Sequence, residues 1–148
     1  MLLRDIMRTN VACVRPEDDL AESEQRMRRR GIHHLVVVDR HAVVGVLTRD
    51  EAERRLAEDV STVGNAMYRH VRLGTPEMPV AEAAALLRGR IEGALPVVDG
   101  RALVGIVTKS DLLDLLAAVA PPEASRGRRG RPRGAGAAHH RASKVRTS

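Results

Sequence analysis

Residues 35–48 read LVVVDRHAVVGVLT, and residues 95–108 read LPVVDGRALVGIVT. The two stretches align at a constant offset of 60 residues, pairing Leu35 with Leu95, Asp39 with Asp99, Gly45 with Gly105 and Thr48 with Thr108. Outward from them the register holds without a gap. Leu20-Ala21-Glu22 faces Val80-Ala81-Glu82, Val11 faces Val71, and Met7 faces Met67. A fixed period constrains architecture before any local reading does, and two copies fall short of the roughly three that a solenoid needs. The repeat therefore predicts a pseudo-twofold pair, each half covering the apolar face of the other. A cleft between two such halves is a natural place for a ligand.

Each copy has the same internal plan. In the first, an extended Val11–Val14 stretch precedes Pro16-Glu17-Asp18-Asp19, a helix start with acids at the positive end of the dipole. That helix closes on Arg28-Arg29-Arg30 and Gly31, a basic last turn with a glycine stop. Two valine-rich runs, Leu35–Val38 and Val43–Leu47, flank the polar turn Asp39-Arg40-His41-Ala42 and predict a hairpin. A second helix follows Thr48. The second copy places a helix at Val80–Arg88, strands at Leu95–Val98 and Leu103–Val107, and a closing helix from Ser110 to about Ala118. The expected fold is α/β (α+β): two β-α-β-β-α repeats over residues 1–59 and 60–120, then a disordered tail over 121–148.

Composition narrows the functional classes. The 148-residue chain has no Trp, no Phe and one tyrosine, Tyr68, which argues against recognition of nucleic-acid bases by aromatic stacking. A lone cysteine, Cys13, excludes an internal disulfide and fits a reducing compartment. On an apolar strand it is expected to be a small buried hydrophobe. The start MLLRDIMRTN lacks the apolar run of a signal peptide, and the stretch Leu112–Ala120 is too short to span a bilayer. A soluble, cytoplasmic protein with no membrane association is expected. The net charge of +6 belongs to the tail: residues 121–148 hold eight basic side chains against Glu123, whereas residues 1–120 carry 17 basic and 18 acidic ones.

Chemistry concentrates at the junction after each hairpin, Thr108-Lys109-Ser110-Asp111 and its counterpart Thr48-Arg49-Asp50-Glu51. A hydroxyl followed three residues later by an acid is a capping box in its own right. The same groups, facing a cleft, suit a diol such as ribose, and the adjacent helix N-terminus favours phosphate. His33-His34 with Cys13 could suggest a metal. Neighbouring strand residues point to opposite faces, so both histidines cannot readily serve one ion, and no metal is expected. No triad or paired catalytic carboxylates are present, so no enzyme is expected.

The repeat, the plan and the stretches LPVVDGRALVGIVTKSDLL and HHLVVVDRHAVVGVLTRDEAE together resemble a tandem pair of cystathionine-β-synthase (CBS) domains, a Bateman module. The resemblance covers residues 1 to about 118. It implies a regulatory module that binds AMP, ADP, ATP or S-adenosylmethionine between its repeats, needs no cofactor and forms a disc-like homodimer. It carries a ribose contact onto Asp111, with Thr108 and Ser110 beside it, Ile106 near the base, and Asn10, Val11, Ala12, Ile32 and His33 as the opposite wall. A second, weaker site would use Val46, Thr48, Glu51, His70, Val71 and Ile91. Glu51 departs from the expected Asp by one methylene, Val36 stands where Pro96 does in the second copy, and Gly93-Ala94 replace His33-His34. The two clefts should therefore be unequal, with the Asp111 cleft favoured.

The tail supplies a rival reading. Arg128, Arg129, Arg131 and Arg133 around Gly130 and Pro132 resemble an AT-hook, whose guanidinium groups are drawn to a narrow minor groove. A dimeric interaction protein with weak DNA or RNA contact through this tail is the alternative. Arg outnumbers Lys 23 to 2 across the chain, so the run also has a compositional origin.

Overall fold

The computed structural model describes residues 1–119. The chain runs α1 (Leu3–Ile6), β1 (Cys13–Val14), α2 (Leu20–Arg30), β2 (His34–Asp39), β3 (Ala42–Thr48) and α3 (Arg49–Ala57). After a short 3₁₀ turn at Val63–Asn65 come α4 (Val80–Leu87), β4 (Ala94–Asp99), β5 (Ala102–Thr108) and α5 (Lys109–Val119). Both hairpins form where the valine-rich runs predict them, and both carry a register shift at equivalent places, Val37/Val38 and Val97/Val98. Residues Pro16–Asp18 form a turn rather than helix. The helix begins only where the Asp19 side chain accepts the N–H of Glu22, and Gly31 ends it in a left-handed conformation at φ 67°.

The copies differ in their first strand. In the first half β1 runs parallel to β2, and the Val36 N–H donates to the Ala12 carbonyl at 3.0 Å. In the second half the strand shrinks to a single bridge between Gly74 and Val97. Pro96 stands where Val36 does, and proline has no N–H to complete that rung. The expected plan of β-α-β-β-α is thus full in one half and pared down in the other. Cys13 also differs from expectation: Val14 takes the inward position of the two-residue strand, leaving Cys13 exposed.

The lead-in segments cross over. Leu3 of α1 is fully buried with Ala83, Leu87, Leu95, Val97 and Val107, the core of the second half. Val63 and Ala66 are buried with Leu20, Met27, Leu35, Val37 and Leu47, the core of the first. Beyond each segment one residue pairs with the far strand of the hairpin: Arg8 with Ile106 and Tyr68 with Val46, again 60 residues apart. Gly45 and Gly105 permit this approach. A Cβ on Gly45 would lie 2.5 Å from the Tyr68 carbonyl oxygen, and one on Gly105 would lie 2.6 Å from Met7 Sδ. A third apolar cluster, centred on Val36, Val46, Ala94 and Ile106, joins the two sheets. The crossed segments and this shared core hold the halves together, and the clefts open beside them.

Candidate ligand-binding cleft

Two clefts adjoin at the pseudo-twofold axis. A smaller one of about 370 Å³ is lined by Arg8, Thr9, Asn10, Val11 and Ala12 from the segment after α1, with Ile32, His34, Ile106 and Thr108. A larger one of about 750 Å³ lies between the N-termini of α3 and α5, where Thr48, Arg49, Thr108, Lys109 and Ser110 meet His33, His34 and Glu51. Thr108 and His34 line both. The smaller one has apolar walls in Val11, Ala12, Ile32 and Ile106, suited to a flat ring. The larger is mixed in charge, with Arg49, Arg54 and Lys109 facing Asp50, Glu51, Glu53 and Glu92.

Of the first predicted site, Asn10, Val11, Ala12, Ile32, Ile106 and Thr108 come together in the smaller cleft. His33 and Ser110 fall in the larger one. Asp111 sits behind Thr108, its side chain only 8% exposed. One of its oxygens accepts the Thr108 N–H at 2.9 Å while the Asp111 N–H donates to Thr108 Oγ1 at 3.2 Å, a complete capping box. Its other oxygen is taken by Arg8, whose Nε and Nη2 both lie at 2.9 Å. Arg8 was not among the predicted residues. Arg8 and Tyr68 are 60 residues apart in register, and each reaches the capping acid of the opposite repeat's hairpin, with which it pairs.

The second predicted set is dispersed. Thr48, Glu51 and Ile91 line the larger cleft, whereas Val46 and Val71 belong to the apolar core between the sheets. His70 is exposed, in a left-handed conformation at φ 57°. The Glu51 N–H donates to Thr48 Oγ1 at 3.1 Å, but the longer glutamate carboxylate turns away to Arg54, Arg55 and the Tyr68 hydroxyl, the last at 3.4 Å. Burial, and then the charge of Glu51, raises the pKa of Tyr68, so its hydroxyl stays protonated.

Register places a different residue opposite Ile32. The residue 60 positions after Ile32 is Glu92, not Ile91. Glu92 is buried and paired with Arg90 Nε at 2.9 Å, and Arg90 Nη2 donates to the His70 carbonyl at 2.9 Å. An ion pair thus stands where the first cleft has an isoleucine. The Glu92 carbonyl in turn accepts His34 Nε2–H at 2.9 Å, linking the halves across the axis. Burial pushes the pKa of His34 down to about 4, with the neighbouring charge of His33 acting in the same direction. The ring is neutral, and its buried Nδ1 has no partner among the described residues.

Among the described residues there is no group of three or more His, Cys, Asp or Glu placed to hold a metal ion, and no helix long and apolar enough to cross a membrane. The tail arginines Arg128, Arg129, Arg131 and Arg133 lie outside the described residues.

Comparison with known proteins extends this geometry. The sequence model of the CBS domain matches residues 3–58 and again 63–118. A CBS domain-containing protein of Bacillus subtilis, YhcV, is 34% identical over 114 residues, covering 74% of this chain and 81% of that protein. The homoserine O-acetyltransferase of Methanococcoides burtonii is 30% identical over 76% of this chain, but the match spans only 23% of that enzyme. Among solved structures, the CBS domain pair of protein MJ0100 in complex with 5′-methylthioadenosine and S-adenosyl-L-methionine superposes with a TM-score of 0.74 at 28% identity, covering 80% of this chain and 97% of that one.

Proposed function

Because the chain belongs to the CBS domain family and its matched part is the domain pair alone, we propose that it is a regulatory module that binds an adenosine-containing ligand in the cleft beside Asp111. One observation carries the reading. The apolar slot walled by Val11, Ala12, Ile32 and Ile106 is also lined by Arg8 and by Thr108 at a helix N-terminus, and both of these bond the nearly buried Asp111 carboxylate just behind it. A purine fits the slot, and a ribose diol suits Asp111 through charge-assisted hydrogen bonds. The occupancy of a 28%-identical domain pair by adenosyl ligands supports the same chemistry here.

Signalling follows from Arg8. Its guanidinium holds the Asp111 oxygen that a ribose would use. A ligand that bonds Asp111 releases Arg8, which directly follows Leu3, Ile6 and Met7, the residues of the lead-in segment packed in the core of the second half. Binding is thereby coupled to the position of that segment, and a partner sensitive to it reads the ligand. A phosphorylated ligand would extend toward Arg49 and Lys109 in the larger cleft. The test is calorimetric titration of the full chain with AMP, ATP and S-adenosylmethionine, alongside Asp111→Ala. At least one should bind and lose roughly tenfold or more in affinity on substitution. Binding of none of the three to the wild type removes the reading.

A further inference from the structure

A cavity of about 650 Å³ is lined from the turns of both hairpins and from the segment after α1. Its apolar lining includes Val11, Val38 and Leu103, half-buried residues at the edge of the cluster that joins the two sheets. Its polar groups are the exposed side chains of Thr9, Cys13, His41 and Arg101, and no carboxylate is among its lining residues. Thr9 and Val11 also line the smaller cleft, whereas Ile32, Ile106 and Thr108 belong to that cleft and not to this cavity.

Two observations give this cavity a chemistry. The first is backbone strain. Arg40 and His41 both hold left-handed backbone, at φ 53° and 70°, whereas the equivalent turn of the second half opens on Gly100, at φ 62°. Left-handed backbone is costly for a residue with a Cβ, and strain of this kind gathers at ligand sites. The chain thus keeps an imidazole where glycine would sit more easily. The second is a pair of unsatisfied donors. Neither the Arg101 guanidinium nor the His41 ring has a hydrogen-bond or ion-pair partner among the described residues. A forked cationic donor and a ring N–H beside an apolar wall match a carboxylate carried on an apolar body. We propose that this cavity is a second binding site, for an organic monocarboxylate whose head is held by Arg101 and His41 and whose body lies on Val11, Val38 and Leu103. The site shares no charged group with the cleft beside Asp111, and it stands whether or not that cleft takes an adenosine.

Cys13 supplies the readout. It is the chain's one cysteine and lines the cavity, and partial burial raises its thiol pKa, with Arg26 acting the other way, so it serves as a reporter rather than as a nucleophile. Alkylation of the full chain by iodoacetamide, an uncharged reagent, is followed by mass spectrometry during titration with octanoate. Octanoate should slow the reaction saturably. Acetate, which lacks the apolar body, and octan-1-ol, which lacks the charge, should leave the rate unchanged. Arg101→Gln should raise the half-protecting octanoate concentration at least about fivefold. His41→Gly should raise it as well, yet move the urea midpoint upward, because glycine relieves the left-handed backbone. Lost protection in a more stable variant cannot be ascribed to misfolding. No protection by octanoate, equal protection by octan-1-ol, or an unchanged octanoate midpoint in Arg101→Gln would overturn the proposal.

Discussion

Asp111 and Glu51 occupy equivalent places in two halves of one sequence, yet they keep different company. Asp111 completes its capping box and faces Arg8, beside a cleft walled by Ile32 and Ile106. Glu51 keeps only one rung of that box and is drawn to Arg54, Arg55 and Tyr68, while Glu92 and Arg90 stand where the apolar wall would be. A repeat preserves backbone because every copy must bury the same core. The clefts carry no such shared packing demand. The two halves therefore agree in Leu35 and Leu95, Gly45 and Gly105, and disagree where a ligand would touch.

The largest effect should come from breaking the crossed segments. Leu3→Ala removes a fully buried side chain from the core of the second half and should cost about 3–4 kcal/mol. Native-state hydrogen exchange should show the loss in β4 and β5, with β2 and β3 less affected. Loss confined to the first half would contradict the crossing.

Next in size is an effect of pH that only one half can show. His34 has a folded pKa of about 4 against an ordinary 6.5, while its counterpart is Ala94. The unfolded chain holds this proton more tightly, so the neutral ring's contribution is intact above about pH 6.5. It falls as pH drops toward 4, by about 3 kcal/mol over the full window, and changes no further below it. The groups acting on the ring are the Glu92 carbonyl, His33, Asp50 and Asp111. Urea titrations of wild type and His34→Ala across this range should converge toward acid pH. Parallel curves would mean that His34 does not carry the dependence.

The two glycine contacts give a smaller, paired comparison. Gly45→Ala sets a Cβ against backbone, the Tyr68 carbonyl, whereas Gly105→Ala chiefly meets the flexible Met7 side chain, with the Arg8 carbonyl at 3.1 Å. Expected costs are about 2 and about 1 kcal/mol, read as shifts in urea midpoint. The reverse order would show that the first half yields more readily than its contacts imply.

Much of this was legible in the sequence. Valine-rich runs around polar turns placed both hairpins, and Gly31 marked the end of α2, because these depend on local composition and capping. The offset of 60 residues also contained the pairing of Arg8 with Tyr68 and of Ile32 with Glu92. Ile91, expected in the second site, lies in the larger cleft and is exposed, whereas the register partner of Ile32 is the buried Glu92. What no pattern shows is which core a segment enters. Leu3 reads the same whether it packs on its own half or the other, and only the tertiary arrangement decides. The thinning of the second half's first strand was legible in principle, since Pro96 removes a donor. That consequence emerges only once Val36 is seen bonded to Ala12.

The smallest expected effects bear most directly on the two acids. Arg8 is half-exposed, 49% by side chain, so its pair with the nearly buried Asp111 should contribute only about 1 kcal/mol to stability. Arg8→Ala should nevertheless raise the affinity for adenosine, about fivefold if the lost pair energy reappears as binding, because the guanidinium no longer competes for the Asp111 oxygen. Tyr68→Phe removes a hydrogen bond of 3.4 Å and should cost a few tenths of a kcal/mol with no change in adenosine affinity. Calorimetry on the two variants separates the explanations. A gain for Arg8→Ala alone places the competition at Asp111, and an equal gain for Tyr68→Phe would mean that the halves bind alike despite their different walls.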